Sequence, residues 1–270
     1  MSNQASQFVG SIPEYYDKGL GPHIFEDYAD DLARRVAAAR PARVLEIAAG
    51  TGIVTRKLRN ALPASTHLVA TDLNPPMLEV ARKKFGAAEK VDLRPADAMA
   101  LPFEDGAFDA LVCQFGVMFF PDKDKSYREA HRTLAAGGRY FFNVWDSFEV
   151  NPFARVGHET ITGFFRQDPP GFYKVPFGYH QIDAIRASLR AAGFDDVKAE
   201  AVKVEKEIPK ARLFAEGLVI GNPVIDEIRT RGTADAESVV AAVTAALNKA
   251  FGPDPGRMPL QAIVFSARRG

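Results

Sequence analysis

The sequence predicts an α/β fold built on a parallel, doubly wound sheet, and three observations carry that reading. Between residues 43 and 145, five short apolar runs of strand length alternate with segments of helical period, the rhythm of successive βαβ units. The first run, Arg43 to Ile47, leads through the small-residue turn Ala48-Ala49-Gly50-Thr51-Gly52 into a helix-spaced segment, the layout of a nucleotide-type binding turn. Acids stand at or just beyond the ends of the first three strands: Glu46, Asp72 and Asp97. In an open parallel sheet such tips face one crevice, where the strand order reverses and ligands bind.

Taken in order, Pro13-Glu14-Tyr15-Tyr16-Asp17 is an aromatic segment that either folds over a ligand as a cover or packs on the sheet's flank. Ile24 to Val36 has apolar positions at helical spacing and predicts an amphipathic helix. The helix after the glycine turn stops by Pro63, and His67 to Asp72 forms a second strand. A helix starts at Pro75-Pro76-Met77 with Asn74 placed to cap it and continues to Phe85. Val91 to Arg94 is the third strand, Asp97 to Asp109 a loop with two turns, and Ala110 to Gln114 the fourth strand. Lys123 to Leu134 is a helix ended by Gly137-Gly138, and Arg139 to Trp145 the fifth strand. The rhythm then breaks. Ser147 to Tyr179 contains Phe148, Phe153, Phe164, Phe165, Phe172, Tyr173, Phe177 and Tyr179, and its length predicts a lid rather than a plain connection. Gln181 to Ala192 is a helix and Val197 to Ile208 a long strand. A second insertion, Lys210 to Pro255, holds helical patterns at Arg212 to Ile220 and Ala234 to Phe251, before Leu260 to Ser266 closes the chain as a strand.

The composition narrows the function. With 270 residues, 47% of them apolar, the chain can bury a large core. Thirty-four basic residues balance thirty-four acidic ones, so the totals show no electrostatic footprint for nucleic acid, and a small-molecule substrate is expected. The single cysteine, Cys113, excludes an intrachain disulfide and a multi-thiolate metal site and agrees with a reducing cytoplasm. It lies in the run Leu111-Val112-Cys113 and reads as a buried, inert thiol. Met1 to Gly10 has neither a basic start nor a long apolar run, and no stretch reaches the length of a membrane span. A cytoplasmic protein that engages neither membrane nor nucleic acid is therefore expected.

At the crevice, Gly50 and Gly52 allow a sharp bend and a close approach of ligand to backbone. Glu46 is placed to accept hydrogen bonds at the strand edge, and Asp72, about twenty residues beyond the glycines, to accept both hydroxyls of a ribose. Three carboxylates would repel a bare phosphate. They suit a nucleoside linked to a cation.

These residues resemble those of the class I S-adenosylmethionine-dependent methyltransferases, in the small-molecule group that includes methyltransferase type 11 and ubiquinone-biosynthesis enzymes. The resemblance covers Val44 to Trp145 well and the rest mainly through topology. The family's acid-x-Gly-x-Gly-x-Gly turn corresponds to Glu46-Ile47-Ala48-Ala49-Gly50-Thr51-Gly52. S-adenosyl-L-methionine is the cofactor this implies. Asp72 matches the ribose-binding acid, with Leu73 and Met77 beside the adenine. Asp97 matches the acid that reads the adenine amino group, and Ala98 supplies a backbone donor. Gln114 and Phe115 match positions that flank the methionine portion and face the substrate, and Tyr16 is expected to cover the cofactor. The implied architecture is a seven-stranded Rossmann-like sheet with an antiparallel last strand and helical lid insertions. Its expected division is a single domain over 1–270, with cap helices in 1–40, a cofactor-binding half in 41–146, and lid insertions at 147–180 and 209–256 in the substrate-side half. One departure stands out: the family's first turn glycine is Ala48 here, and the expectation is that Ala48 keeps a negative φ.

The methyl carbon on a sulfonium is strongly electrophilic, so holding an acceptor in line supplies much of the catalysis, roughly 7 to 11 kcal/mol in favourable cases. A base is optional, and Tyr16, His23, His158 and His180 are weak candidates for one. His67 and His131 read as structural, and no spacing suggests a metal. The aromatics of the first insertion, with Phe115, Met118, Phe119, Phe120 and Trp145, imply a pocket for a small lipophilic or aromatic acceptor; their alternative role is the lid's own core. A homodimer is compatible with the sequence. Two other functions stay open. Gly50-Thr51-Gly52-Ile53-Val54-Thr55 approximates the glycine fingerprint of an NAD(P)-dependent oxidoreductase, although Thr55 replaces the third glycine. The other is a non-catalytic nucleoside-binding protein that retains the fold.

Overall fold

The computed structural model describes residues 4–232 and 234–270; Met1, Ser2 and Asn3, the start of the expected cap region, and Thr233 lie outside the described residues. One seven-stranded sheet runs in the order β3-β2-β1-β4-β5-β7-β6. The strands are β1 (Arg43–Ile47), β2 (His67–Asp72), β3 (Val91–Pro95), β4 (Phe108–Gln114), β5 (Leu134–Trp145), β6 (Phe194–Ile208) and β7 (Gly256–Arg269). β1 pairs in parallel with both β2 and β4, which sets the reversal of strand order between β1 and β4. β7 is antiparallel to β5 and to β6, as the resemblance implied.

Side chains alternate across the central strands, and both faces are covered. Val44, Leu68, Ala110 and Val112 meet Leu32 and Val36 of α2 (Glu26–Ala38) and Leu58 of α3 (Ile53–Ala61) in one apolar cluster. Their chain neighbours Leu45, Val69, Leu111 and Cys113 belong to the larger cluster on the opposite face. Burial on both faces explains why these strands read as continuous apolar runs. The β6–β7 hairpin is longer than either predicted strand, with pairing from Phe194 with Arg269 to Ile208 with Gly256.

The remaining helices are α1 (Ile12–Tyr15), α4 (Pro75–Arg82), α5 (Lys123–Thr133), α6 (Pro152–Thr162), α7 (Ile182–Ala191), α8 (Ala211–Val219), α9 (Val224–Arg231) and α10 (Ala236–Phe251). The structure departs from the sequence reading in several places: Gly137 and Gly138, expected to end α5, lie within β5, and α6 and α9 have no counterpart in that reading. The predicted amphipathic helix is preceded by a π-helix, Tyr16–Phe25, whose wider turn accommodates Pro22. Asn74 stands at the N-cap position of α4, yet its side chain makes no cap. It donates instead to Ser6 O and to Asp72 Oδ1.

The π-helix packs on α8 through glycines. A methyl on Gly19 would lie 2.7 Å from Gly217 Cα, and one on Gly221 would lie 2.8 Å from Tyr16 N. No Cβ fits there. The seam brings Tyr16 and the turn that follows α8 to the same end of the sheet, the end that carries the acids.

Candidate active site

The glycine turn is tied to β2 by three hydrogen bonds. Ala49 N donates to Thr71 O at 2.9 Å, Gly50 N to Asp72 Oδ2 at 2.8 Å, and Thr71 Oγ1 to Glu46 O at 3.1 Å. Gly50 and Gly52 have φ of +57° and +78°, and a Cβ on Gly52 would sit 2.9 Å from Ala81 Cβ, so α4 packs on that position. Ala48 also lies in the left-handed region, with φ of +53°, which corrects the expectation of a negative φ. The chain must turn back sharply out of β1, and an alanine held there costs about 1 kcal/mol relative to glycine. The compensation is Gly116: a Cβ on that residue would lie 2.5 Å from Ala48 Cβ. With Gly116 bare, the Ala48 methyl has a place beside the crevice and leaves it open.

A cavity of about 390 Å³ opens at the strand tips, within the size range of small-molecule sites. Ala48, Gly50, Asp72, Leu73, Met77, Asp97, Ala98, Gln114 and Phe115 line it, together with Tyr16. Asp72 accepts from Gly50 N and, at 2.8 Å, from Asn74 N, while Asp97 Oδ1 accepts from Met99 N at 2.8 Å. Burial raises the Asp72 carboxyl, against the pull of these backbone donors. Glu46 and Thr51 face an adjoining lobe of about 20 Å³ that shares Tyr16, Ala48, Gly50 and Gln114 with the main cavity. Gly52 lines neither.

Glu46 Oε2, Thr51 Oγ1 and Gln114 Oε1 are buried there with no hydrogen-bond partner among the described residues. Buried polar groups are rarely left unpaired, so these atoms mark the place where the donors and acceptors of a ligand held in the main cavity would be met. Burial, opposed by the Thr55 hydroxyl and reinforced by the Asp72 charge, pushes the Glu46 carboxyl up to about 8. A cation in the lobe would hold it ionised. The lining therefore fits S-adenosylmethionine: acids for its hydroxyls, amine and positive sulfur, an apolar slot at Leu73 and Met77, and no basic side chain among the described residues that line it.

A second cavity of about 50 Å³ adjoins the first through Phe8, Tyr16, Phe115 and Phe119, which line both. Met118, Trp145, Phe153, Phe172, Tyr173 and Phe177 form much of its wall. Phe115 stacks on Trp145 with centroids 4.0 Å apart and planes at 8°. It holds φ of +51° because its N–H is drawn to the buried Asn143, with Oδ1 at 2.9 Å. Strain of this kind in a bulky residue marks functional sites.

Tyr16 stacks on Phe25 at 4.9 Å and lines both cavities and the lobe. Burial, with Asp72 and Asp17 nearby, raises its phenol well above the ordinary range, so it is a hydrogen-bond donor at neutral pH. The three histidine candidates stand outside these cavities. His23 holds Gly19 O at 2.8 Å and stacks on Phe214, His158 stacks on Phe148, and His180 contacts Phe177 O at 3.1 Å. The Cys113 thiol is buried and pushed up to about 12, which leaves it inert. Sequence reading missed Phe8 and Asn222, since neither lies in a periodic segment. Gly221-Asn222-Pro223 carries only a turn signal.

Comparison with known proteins gives a consistent picture. Residues 45–142 match the family described as a methyltransferase domain. A demethylmenaquinone methyltransferase of Thermus thermophilus is 45% identical over 180 residues, covering 62% of this chain and 79% of the relative. A ubiquinone/menaquinone biosynthesis C-methyltransferase of Methylobacterium nodulans is 37% identical over 126 residues, 46% of this chain and 50% of the relative, so the chain spans about half of that protein. Among solved structures, a phosphoethanolamine N-methyltransferase of Haemonchus contortus, in complex with S-adenosylhomocysteine, aligns with a TM-score of 0.62 at 16% identity. That alignment covers 99% of this chain and 60% of the other. A Thermotoga maritima methyltransferase aligns at 0.56 and 18% identity over 96% and 97% of the two chains. At such identities the structural likeness speaks for the fold.

Proposed function

We propose a methyl acceptor for this chain, which belongs to the class I S-adenosylmethionine-dependent methyltransferases of the ubiquinone-biosynthesis type: a small, apolar aromatic ring of the quinone class, methylated on carbon. The observation that carries this reading is the aromatic chamber joined to the cofactor cavity through Phe8, Tyr16, Phe115 and Phe119. The relatives from Thermus and Methylobacterium, a demethylmenaquinone methyltransferase and a ubiquinone/menaquinone biosynthesis C-methyltransferase, agree with it.

When bound, the cofactor supplies an electrophilic methyl group on positively charged sulfur. In this reading Asp72 accepts from the ribose hydroxyls, Asp97 and the Ala98 backbone address the adenine, and Leu73 and Met77 flank its ring. Glu46, Thr51 and Gln114 hold the amino acid end. The shared rings of Tyr16 and Phe115 stand where the two cavities meet, and their faces favour a cation. They also keep water from the reacting carbon. At about 50 Å³ the chamber is smaller than the roughly 300 Å³ at which ligand sites begin, so this reading requires its walls to part for a ring. The two insertions, at 147–180 and 209–256, supply Phe153, Phe172, Phe177 and Leu218 to those walls and act as the cover.

The test is incubation of the protein with S-adenosylmethionine and a demethylated naphthohydroquinone, followed by mass spectrometry and proton NMR of the product. The expected result is one methyl group added to a ring carbon. Turnover of a polar amine or a phosphobase, with the aromatic ring left untouched, would overturn the acceptor class.

A further inference from the structure

The wall of the aromatic chamber that is not shared with the cofactor cavity carries a polar pair, Tyr173 and Asn222. Both are buried. The Tyr173 hydroxyl donates its one proton to Leu218 O at 2.6 Å. Asn222 Nδ2 approaches Gly217 O and Leu218 O, each at 3.3 Å, and the Tyr173 oxygen at 3.5 Å. Those carbonyls fix the amide's orientation, because the flipped amide would set an oxygen against two other oxygens. The protons of the pair are therefore engaged by the backbone at the end of α8. The hydrogen bonds of Asn222 to described residues all run through Nδ2 and none engages Oδ1, so the pair offers lone pairs and no free proton.

From this we infer that Asn222 is a specificity-determining residue: its Oδ1 accepts a hydrogen bond from a hydroxyl on the acceptor's ring, so the chamber discriminates against rings bearing only a carbonyl or an ether at that position. The inference rests on the chamber being the acceptor site. Its physical basis is asymmetric. A ring hydroxyl donates to Asn222 Oδ1, whereas an ether oxygen would set its lone pairs against that oxygen and leave both unpaired. The hydroxyl also orients the ring, since the other polar side chains of the wall, Tyr16 and Trp145, offer donors, and the remaining lining is apolar.

The experiment uses the full chain saturated with S-adenosylhomocysteine and two ring ligands of the same skeleton, 1-naphthol and 1-methoxynaphthalene, titrated calorimetrically. The expected result is 1-naphthol bound about tenfold tighter, the equivalent of one buried hydrogen bond. Asn222→Leu brings the two ligands to within about twofold of each other, by weakening 1-naphthol alone and leaving S-adenosylhomocysteine affinity unchanged. Equal affinities in the unaltered protein would overturn the role of Asn222 while leaving the acceptor site in place. A variant that lost both ligands in proportion would make Asn222 structural and overturn it equally. Binding of neither ring to the unaltered protein would overturn the acceptor reading itself, and this inference with it. Comparison of the two ligands on the unaltered chain decides the matter even where the leucine variant fails to fold.

Discussion

Glu46 is 1% exposed and one of its carboxylate oxygens has no partner among the described residues, which makes its protonation a property of the whole site. Its carboxyl moves from an ordinary 4.5 to about 8 in the folded chain, with burial as the first cause. Between those two values the folded protein holds a proton that the unfolded chain has released, so stability falls as pH rises through the window. The slope is at most about 1.4 kcal/mol per pH unit. Urea unfolding followed from pH 5 to pH 8 should show this decline, and Glu46→Gln should remove most of it. Cofactor binding has the opposite sign, because a cation in the lobe favours the ionised form: affinity rises as pH approaches 8, and a proton is released near pH 7. Calorimetry in buffers of different ionisation heat would detect that proton, and its persistence in Glu46→Gln would assign the titration to another group. Ala48 shows where residue-scale reading from the sequence stopped. The identity of the residue was plain, but the room for its methyl in the left-handed conformation is left by Gly116, which lies far along the chain and carries no sign of the contact.

The π-helix and α8 meet across Gly19, Gly217 and Gly221, and this seam sets the place of Tyr16 on one side and Asn222 on the other. Gly217→Ala would bring a methyl to 2.7 Å of the Gly19 carbonyl carbon, an overpacking worth about 1–3 kcal/mol. Because the helices must separate to relieve it, the variant should lose both stability in urea and affinity for S-adenosylhomocysteine. Gly157→Ala is the control. Its added carbon meets only Leu218 Cδ1 at 3.7 Å, and in the interior of α6 it should be neutral or stabilise by up to about 1 kcal/mol. Equal behaviour of the two variants would deny the seam its role. The elements most legible in the sequence were β1 to β5 with α2 to α5, where burial on two faces or one stripe writes itself into the residue pattern. The π-helix was not legible, because its i→i+5 turn has no familiar apolar period and Gly19, Gly21 and Pro22 read as breakers. α6 and α9 were hidden for a related reason: they pack within the insertions, on surfaces that only the folded chain assembles.

At the scale of the molecule, the sheet's reversal point gathers the acids, and the segment before β1 supplies Phe8 and Tyr16 above them. The three acids were legible as strand-tip residues. Their common cavity, and the lobe that sets Glu46 apart from Asp72 and Asp97, required the register of four strands and the covering segment together. A ligand spanning this cavity touches the glycine turn, β2, the tip of β4 and the cap at once, so its binding energy is added to the folding of all of them. S-adenosylhomocysteine at about 100 times its Kd should stabilise the fold by about 2.7 kcal/mol, raising Tm by roughly 5 to 10 °C. If Asp72 accepts from the ribose hydroxyls as proposed, Asp72→Ala should cost about 2 kcal/mol of binding, a Kd roughly 30-fold weaker. At the same ligand concentration binding then contributes only about 0.9 kcal/mol, and the rise shrinks to roughly 2 to 3 °C. The variant also loses the acceptor for Gly50 N and Asn74 N, so each protein must be compared with its own ligand-free Tm. Thermal scans that gave the same rise for both would remove Asp72 from the cofactor site and, with it, the placement of the nucleoside at the strand tips.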